Sequence, residues 1–167
     1  MLDESEFAMR GFARSLPMVL LRARDAALAL FRPMLAEHGL TEQQWRVLRA
    51  LASDRAPMDA GELAGTTFLL APSLSRILVT LESQSLIRRD TPEHDRRRSI
   101  ISLSPSGRDV VARIAPHSEA VYARLEGGFG AERLDALIVE LNALSQIAPS
   151  IDGRPSRRPT TPSRPDQ

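Results

Sequence analysis

Pro72-Ser73-Leu74-Ser75-Arg76-Ile77-Leu78-Val79-Thr80-Leu81-Glu82-Ser83 is the stretch on which the fold turns. Leu74, Ile77, Leu78 and Leu81 fall at i, i+3, i+4 and i+7, the spacing of one buried helix face. Pro72 sits where a first helical residue belongs, because its missing N–H costs nothing there. The opposite face carries Ser73, Arg76 and Thr80, with Ser75 and Ser83 beside them. Upstream, Asp59 and Glu62 have capping-box spacing and predict a short helix ending near Gly65. Downstream, residues 86–90 and 99–103 read as two strands joined by a charged loop that contains Pro92.

The flanks extend this pattern into a mostly helical chain. Leu16, Leu20, Ala23, Ala27, Leu30, Phe31 and Met34 recur at spacings of four and three, one face of a long helix with Pro17 in its first turn. Pro33 is expected to bend or fray that helix, and Gly39 suits its C-terminal end. Thr41 and Gln44 open a second helix with a capping box, its buried side carrying Trp45, Leu48 and Leu51. Ser104-Pro105 starts a further helix through Val111, Ile114, Val121 and Leu125, with a kink expected at Pro116 and a break at Gly127-Gly128 and Gly130. Leu134, Leu137, Ile138, Leu141 and Leu144 define a last helix. From Pro149 the chain is rich in Pro and Arg without periodicity, and reads as a disordered tail.

Composition removes whole classes of activity. With 167 residues the chain is about one domain long. No cysteine is present, so disulfides, thiolate metal sites and cysteine nucleophiles are excluded. His38, His94 and His117 lie in separate segments without metal-ligand spacing, no Gly-x-Ser-x-Gly elbow occurs, and no glycine-rich phosphate loop follows a strand. Neither catalytic residues nor a cofactor or metal site is expected, and the chain reads as a non-enzyme. No apolar run approaches the ~18–20 residues that span a bilayer, and the acidic start is the wrong charge for a secretory leader. No membrane partner and a cytoplasmic location are the expectations.

A formal net charge of +1 is too small for whole-protein attraction to nucleic acid, so any such attraction must be local. All 22 basic residues are Arg, the residue suited to planar, bidentate contacts. Between residues 86 and 98 five arginines (88, 89, 96, 97 and 98) face three acids (90, 93 and 95). A short helix, a turn, a second helix and a hairpin make a winged helix-turn-helix, whose second helix fits a major groove about 12 Å wide. On this reading Ser73, Ser75, Arg76 and Thr80 meet DNA from the second helix, and Arg96, Arg97 and Arg98 meet it from the loop. Arg76 is the residue expected to contact a base edge. The competing reading, a solvated hairpin whose arginines pair with nearby acids, gives no reason for the polar outer face of the preceding helix.

From Gly39 to Ser104 the sequence resembles the MarR family of winged-helix regulators. The resemblance rests on Gly39-Leu40-Thr41-Glu42-Gln43-Gln44-Trp45, on Pro72-Ser73-Leu74-Ser75-Arg76-Ile77 with Leu81, and on Asp95-Arg96-Arg97 with Leu103-Ser104. The family's Asp-x-Arg wing signature falls on Asp95 and Arg97. Arg14-Ser15-Leu16-Pro17-Met18 and Thr41-Glu42-Gln43-Gln44-Trp45-Arg46-Val47-Leu48-Arg49 are further similar to the branch regulating homoprotocatechuate degradation. Three positions depart from the pattern. Ser85 stands where a glycine commonly ends the recognition helix, Ala71 stands where a capping hydroxyl precedes the proline, and the tail after Pro149 has no counterpart.

The resemblance implies a mainly α homodimer with a small β-hairpin wing. Residues 1–40 and 105–148 would supply dimerisation helices, 41–104 the DNA-binding region and 149–167 the tail. The apolar stripes of the end helices argue the same way, since a winged unit of this size cannot cover them alone. A two-fold dimer reads a pseudo-palindromic operator in duplex DNA, with recognition helices about 34 Å, or a multiple, apart. The resemblance also implies an effector crevice for a small aromatic carboxylate, with Arg14, Ser15, Met18, Trp45, Arg46 and Arg49 as candidate lining. The expected function is repression of an aromatic-acid catabolic operon, relieved by a hydroxyphenylacetate-like, homoprotocatechuate-like or pyridine carboxylate effector. The alternatives are a constitutive DNA-binding architectural or adaptor protein and a small helical enzyme.

Overall fold

The structure is a computed structural model that describes residues 10–53, 57–91 and 99–147. A 3-10 turn at Phe12–Arg14 leads into α1 (Leu16–Glu37) and α2 (Glu42–Ser53). Strand β1 (Met58–Asp59), α3 (Ala60–Thr67), α4 (Ala71–Ser83), β2 (Ile87–Asp90) and β3 (Ile100–Leu103) follow. Helices α5 (Pro105–Phe129) and α6 (Ala131–Ile147) complete the described chain. It falls into two compact units, one ending at Tyr122 and the other beginning at Ala123.

The caps read from sequence fix the helix starts in the first unit. Thr41 N donates to Gln44 Oε1 at 2.8 Å and Gln44 N to Thr41 Oγ1 at 3.2 Å, a reciprocal box at the start of α2. Asp59 and Glu62 form the same box on α3. At α5, Gly107 N donates to Ser104 Oγ at 2.9 Å. The core joins Leu35 of α1 with Val47 and Leu48 of α2, Leu63 of α3, Leu74 and Leu81 of α4, Ile101 of β3 and Ile114 of α5. Of the long α1 stripe, only Met34, with its neighbour Leu35, is buried. Leu16, Val19 and Leu21 remain exposed.

Three expectations are corrected. Helix α3 runs on to Thr67, past Gly65, and ends where Phe68 takes a left-handed φ of 52°. Gly127 and Gly128 do not break α5, which continues to Phe129; the break falls at Gly130, with φ of +96°. The hairpin gains a third strand, in the order β1-β3-β2, all antiparallel, with Met58 opposite Ile101 and Ile87 opposite Leu103. Helix α1 passes through Pro33 and α5 through Pro116 without interruption. The expected loop at 92–98 and tail at 149–167 lie outside the described residues.

In the second unit, the end of α5 and α6 meet at Gly130, and the Arg133 guanidinium lies 4.4 Å above the Phe129 ring centroid. Helix α6 has no buried residue. Its Leu137, Ile138, Val139, Leu141 and Ile147 are all exposed.

Candidate nucleic-acid interface and effector cleft

Helices α3 and α4 are bent by 108° across the turn at 68–70, within the ~90–120° of a helix-turn-helix. Leu74, Leu78 and Leu81 pin α4 to the core and leave Ser75, Arg76 and Thr80 exposed; Ser73 is half-buried. Thr80 Oγ1 donates to the Arg76 carbonyl at 3.2 Å, which holds that hydroxyl against its own helix. Among the described residues no acid pairs with Arg76, so its five donors are open to a base or phosphate. Helix α4 begins one residue earlier than its proline suggests: Ala71 is its first residue, Pro72 its second, and Leu70, which has no side-chain cap to offer, takes the cap position expected of Ala71. Two backbone donors in its first turn are therefore available to an anion.

The far end of α4 is anchored to the wing and to α5. Ser85 takes φ of 58°, the left-handed conformation expected of the family's glycine. Its carbonyl accepts from Ser104 Oγ at 2.6 Å, and Ser104 N donates to the Leu86 carbonyl at 3.1 Å. Arg89 of β2 lies half-buried with Nε 3.0 Å from Glu82 Oε2 of α4. That ion pair is misaligned, since Arg89 Nε and Nη2 have no hydrogen-bond partner among the described residues. Arg96, Arg97 and Arg98, named from sequence as wing contacts, lie outside the described residues.

A second feature lies between α2 and α5, a cleft of about 170 Å³ lined by Trp45, Arg49, Ala52 and Ser53 on one side and Val111, Ala115, Ser118 and Glu119 on the other. Trp45 is buried and serves the core as well, yet its indole N–H has no partner among the described residues. An orphaned buried donor of this kind costs roughly 1–3 kcal/mol. Arg49 is exposed and donates to the Tyr122 hydroxyl at 3.4 Å. Tyr122 in turn meets Phe31 of α1 edge-on, with ring centroids 5.3 Å apart.

Of the six residues named from sequence for the crevice, the structure brings Trp45 and Arg49 to this cleft. Arg46 points elsewhere, donating to the Thr67 carbonyl at 3.1 Å and pairing with Glu42. Arg14, Ser15 and Met18 lie at the start of α1 and do not line it within one chain. The α5 wall escaped the sequence reading. Val111 was read only as an apolar stripe position, and Ala115, Ser118 and Glu119 share its helix face without a chemistry that marks them in the sequence.

This arrangement defines a DNA-binding winged helix-turn-helix protein with a small cleft between α2 and α5. Residues 38–98 match the MarR family. The homoprotocatechuate degradative operon repressor of Escherichia coli is 41% identical over 123 residues, 74% of this chain and 82% of the relative. A crystal structure of NadR in complex with 4-hydroxyphenylacetate is similar at 32% identity and a TM-score of 0.72, over 84% of this chain and 99% of that one. The transcriptional repressor CouR bound to a 23-mer DNA duplex is similar at 28% identity and a TM-score of 0.73, over 80% and 94% of the two chains. The chain belongs to the MarR family: it is a winged helix-turn-helix transcriptional regulator and not an enzyme.

Proposed function

We propose that the protein is a homodimeric repressor of an aromatic-acid catabolic operon, released from a pseudo-palindromic operator when a small aromatic carboxylate occupies the α2–α5 cleft. The observation that carries the effector half is that Arg49 and the Trp45 side chain line one cleft. An Arg fork holds a planar carboxylate and a Trp ring covers an aromatic face. The likeness to NadR, whose structure holds 4-hydroxyphenylacetate, and to the E. coli repressor supports this ligand class. Arg14, Ser15 and Met18 join the site on this reading only from a neighbouring copy.

The dimer is supported by apolar surface that the single chain leaves wet, at Leu16, Val19 and Leu21 of α1 and along α6. In this reading 1–40 and 105–148 pair two chains, and 41–104 reads DNA through Ser73, Ser75, Arg76, Thr80 and the wing arginines 96–98. Fluorescence anisotropy of an operator duplex, titrated with 4-hydroxyphenylacetate, homoprotocatechuate and pyridine carboxylates, tests it. Release by one compound at micromolar concentration is the expected result. Binding retained across the whole panel would establish the constitutive alternative instead.

A further inference from the structure

Among the described residues of the unit ending at Tyr122, four large apolar side chains are more than half exposed: Phe68 (91%), Leu70 (78%), Phe12 (74%) and Val79 (58%). Isolated exposed apolar residues are ordinary. Here three of the four fall within residues 68–79, on the turn and the helix that present Arg76. Phe68 also holds a left-handed φ of 52°, a costly place for an aromatic residue that contributes nothing to the core. Val79 follows Arg76 by three residues, so both share the outward face of α4, opposite Leu74, Leu78 and Leu81. Folding does not explain this surface.

Val79 shares its α4 face with the unpaired Arg76 and the exposed Thr80, and Phe68 and Leu70 lie in the turn that leads into the same helix, which selects the occupant. A mixed face of one guanidinium fork and branched apolar groups matches the major-groove edge of duplex DNA. There guanine offers two acceptors and thymine a C5-methyl group. We infer that Val79, together with Phe68 and Leu70 at the start of α4, reads thymine methyl groups beside the guanine met by Arg76. Each operator half-site then carries thymines flanking that guanine. This rests on the DNA-binding reading above and adds the base identities.

The test uses the full-length protein to select half-sites from a randomised duplex library, followed by replacement of each selected thymine with dU. That exchange removes one methyl group and keeps base pairing. Wild type is expected to lose about fourfold in affinity per contacted methyl, the factor equivalent to ~0.8 kcal/mol for one buried carbon. V79A should show that loss on the thymine duplex and no further loss on the matching dU duplex, with F68A and L70A doing so at other thymines. Because these side chains are exposed, unchanged melting temperatures and unchanged affinity for random-sequence DNA separate loss of reading from misfolding. Equal affinity of wild type for thymine and dU duplexes, or selected half-sites without thymine, overturns the inference while leaving DNA binding intact. Failure to enrich any duplex overturns the DNA-binding reading and this inference together.

Discussion

Ser104→Ala is the substitution whose cost the geometry fixes best. Ser104 is 5% exposed and ties three elements through one hydroxyl and one amide. Its Oγ accepts from Gly107 N at 2.9 Å and donates to the Ser85 carbonyl at 2.6 Å. Losing the cap on α5 costs about 1 kcal/mol. Leaving the part-buried Ser85 carbonyl unpaired costs about 1 kcal/mol more. For a chain of this size the sum of ~2 kcal/mol lowers Tm by roughly 4–8 °C. Circular-dichroism melting of wild type and variant at equal protein concentration reads it, since the stability of the proposed dimer depends on concentration. Ser104→Thr, which keeps the hydroxyl, should recover most of the difference. A Tm within 1 °C of wild type for Ser104→Ala would show that the hydroxyl does not hold α4 to α5.

Gly107→Ala should be worse, because an added Cβ would sit 1.9 Å from the Leu86 carbonyl oxygen, a backbone atom that cannot rotate away. A loss of about 3 kcal/mol in urea unfolding is expected, and full stability would mean that α5 and the start of β2 are not in contact. Ser85→Gly relieves the left-handed φ of 58° and should raise stability by up to ~1 kcal/mol with operator affinity unchanged, read by the same unfolding assay. Arg49→Gln should raise the effector concentration needed for DNA release about tenfold or more while sparing operator affinity, measured in the anisotropy titration. A normal response in that variant would move the carboxylate away from Arg49.

Local chemistry decided what the sequence disclosed. Helix α4 was legible because its period and its first-turn proline agree, although it starts at Ala71, one residue before Pro72, and the starts of α2, α3 and α5 because capping pairs act within three residues of themselves. Strand β1 was hidden because Met58 and Asp59 become a strand only by pairing with Ile101 and Ile100, more than forty positions away. Gly127 and Gly128 misled for the opposite reason. A glycine costs a helix only about 1 kcal/mol, and α5 absorbs two of them because the left-handed backbone that ends it falls at Gly130. The end of α3 was missed because Phe68, not a glycine, takes the left-handed cap. For the cleft, Trp45 and Arg49 stood out by residue type, whereas Ala115 and Ser118 carry no signal until α5 is laid beside α2.

That juxtaposition gives α2 two separate duties. Trp45 and Arg49, four residues apart, face the cleft and α5. Arg46, between them in sequence, reaches the Thr67 carbonyl immediately before the Phe68 turn, while Glu42 pairs with Arg46 and takes Arg24 Nη2 of α1 at 2.7 Å. One rigid helix thus touches the proposed ligand site with one face and the turn that sets the recognition helix with another. A ligand that fits two positions of α2 against α5 equally well would leave DNA affinity unchanged, however tightly it bound. A coupling of about 1–3 kcal/mol, or 5–150-fold in operator affinity, requires that the Arg49–Trp45 wall meet the effector better in one position than in the other. Arg46 donates to the Thr67 carbonyl at 3.1 Å, which ties α2 to the end of α3, next to the 108° bend between α3 and α4.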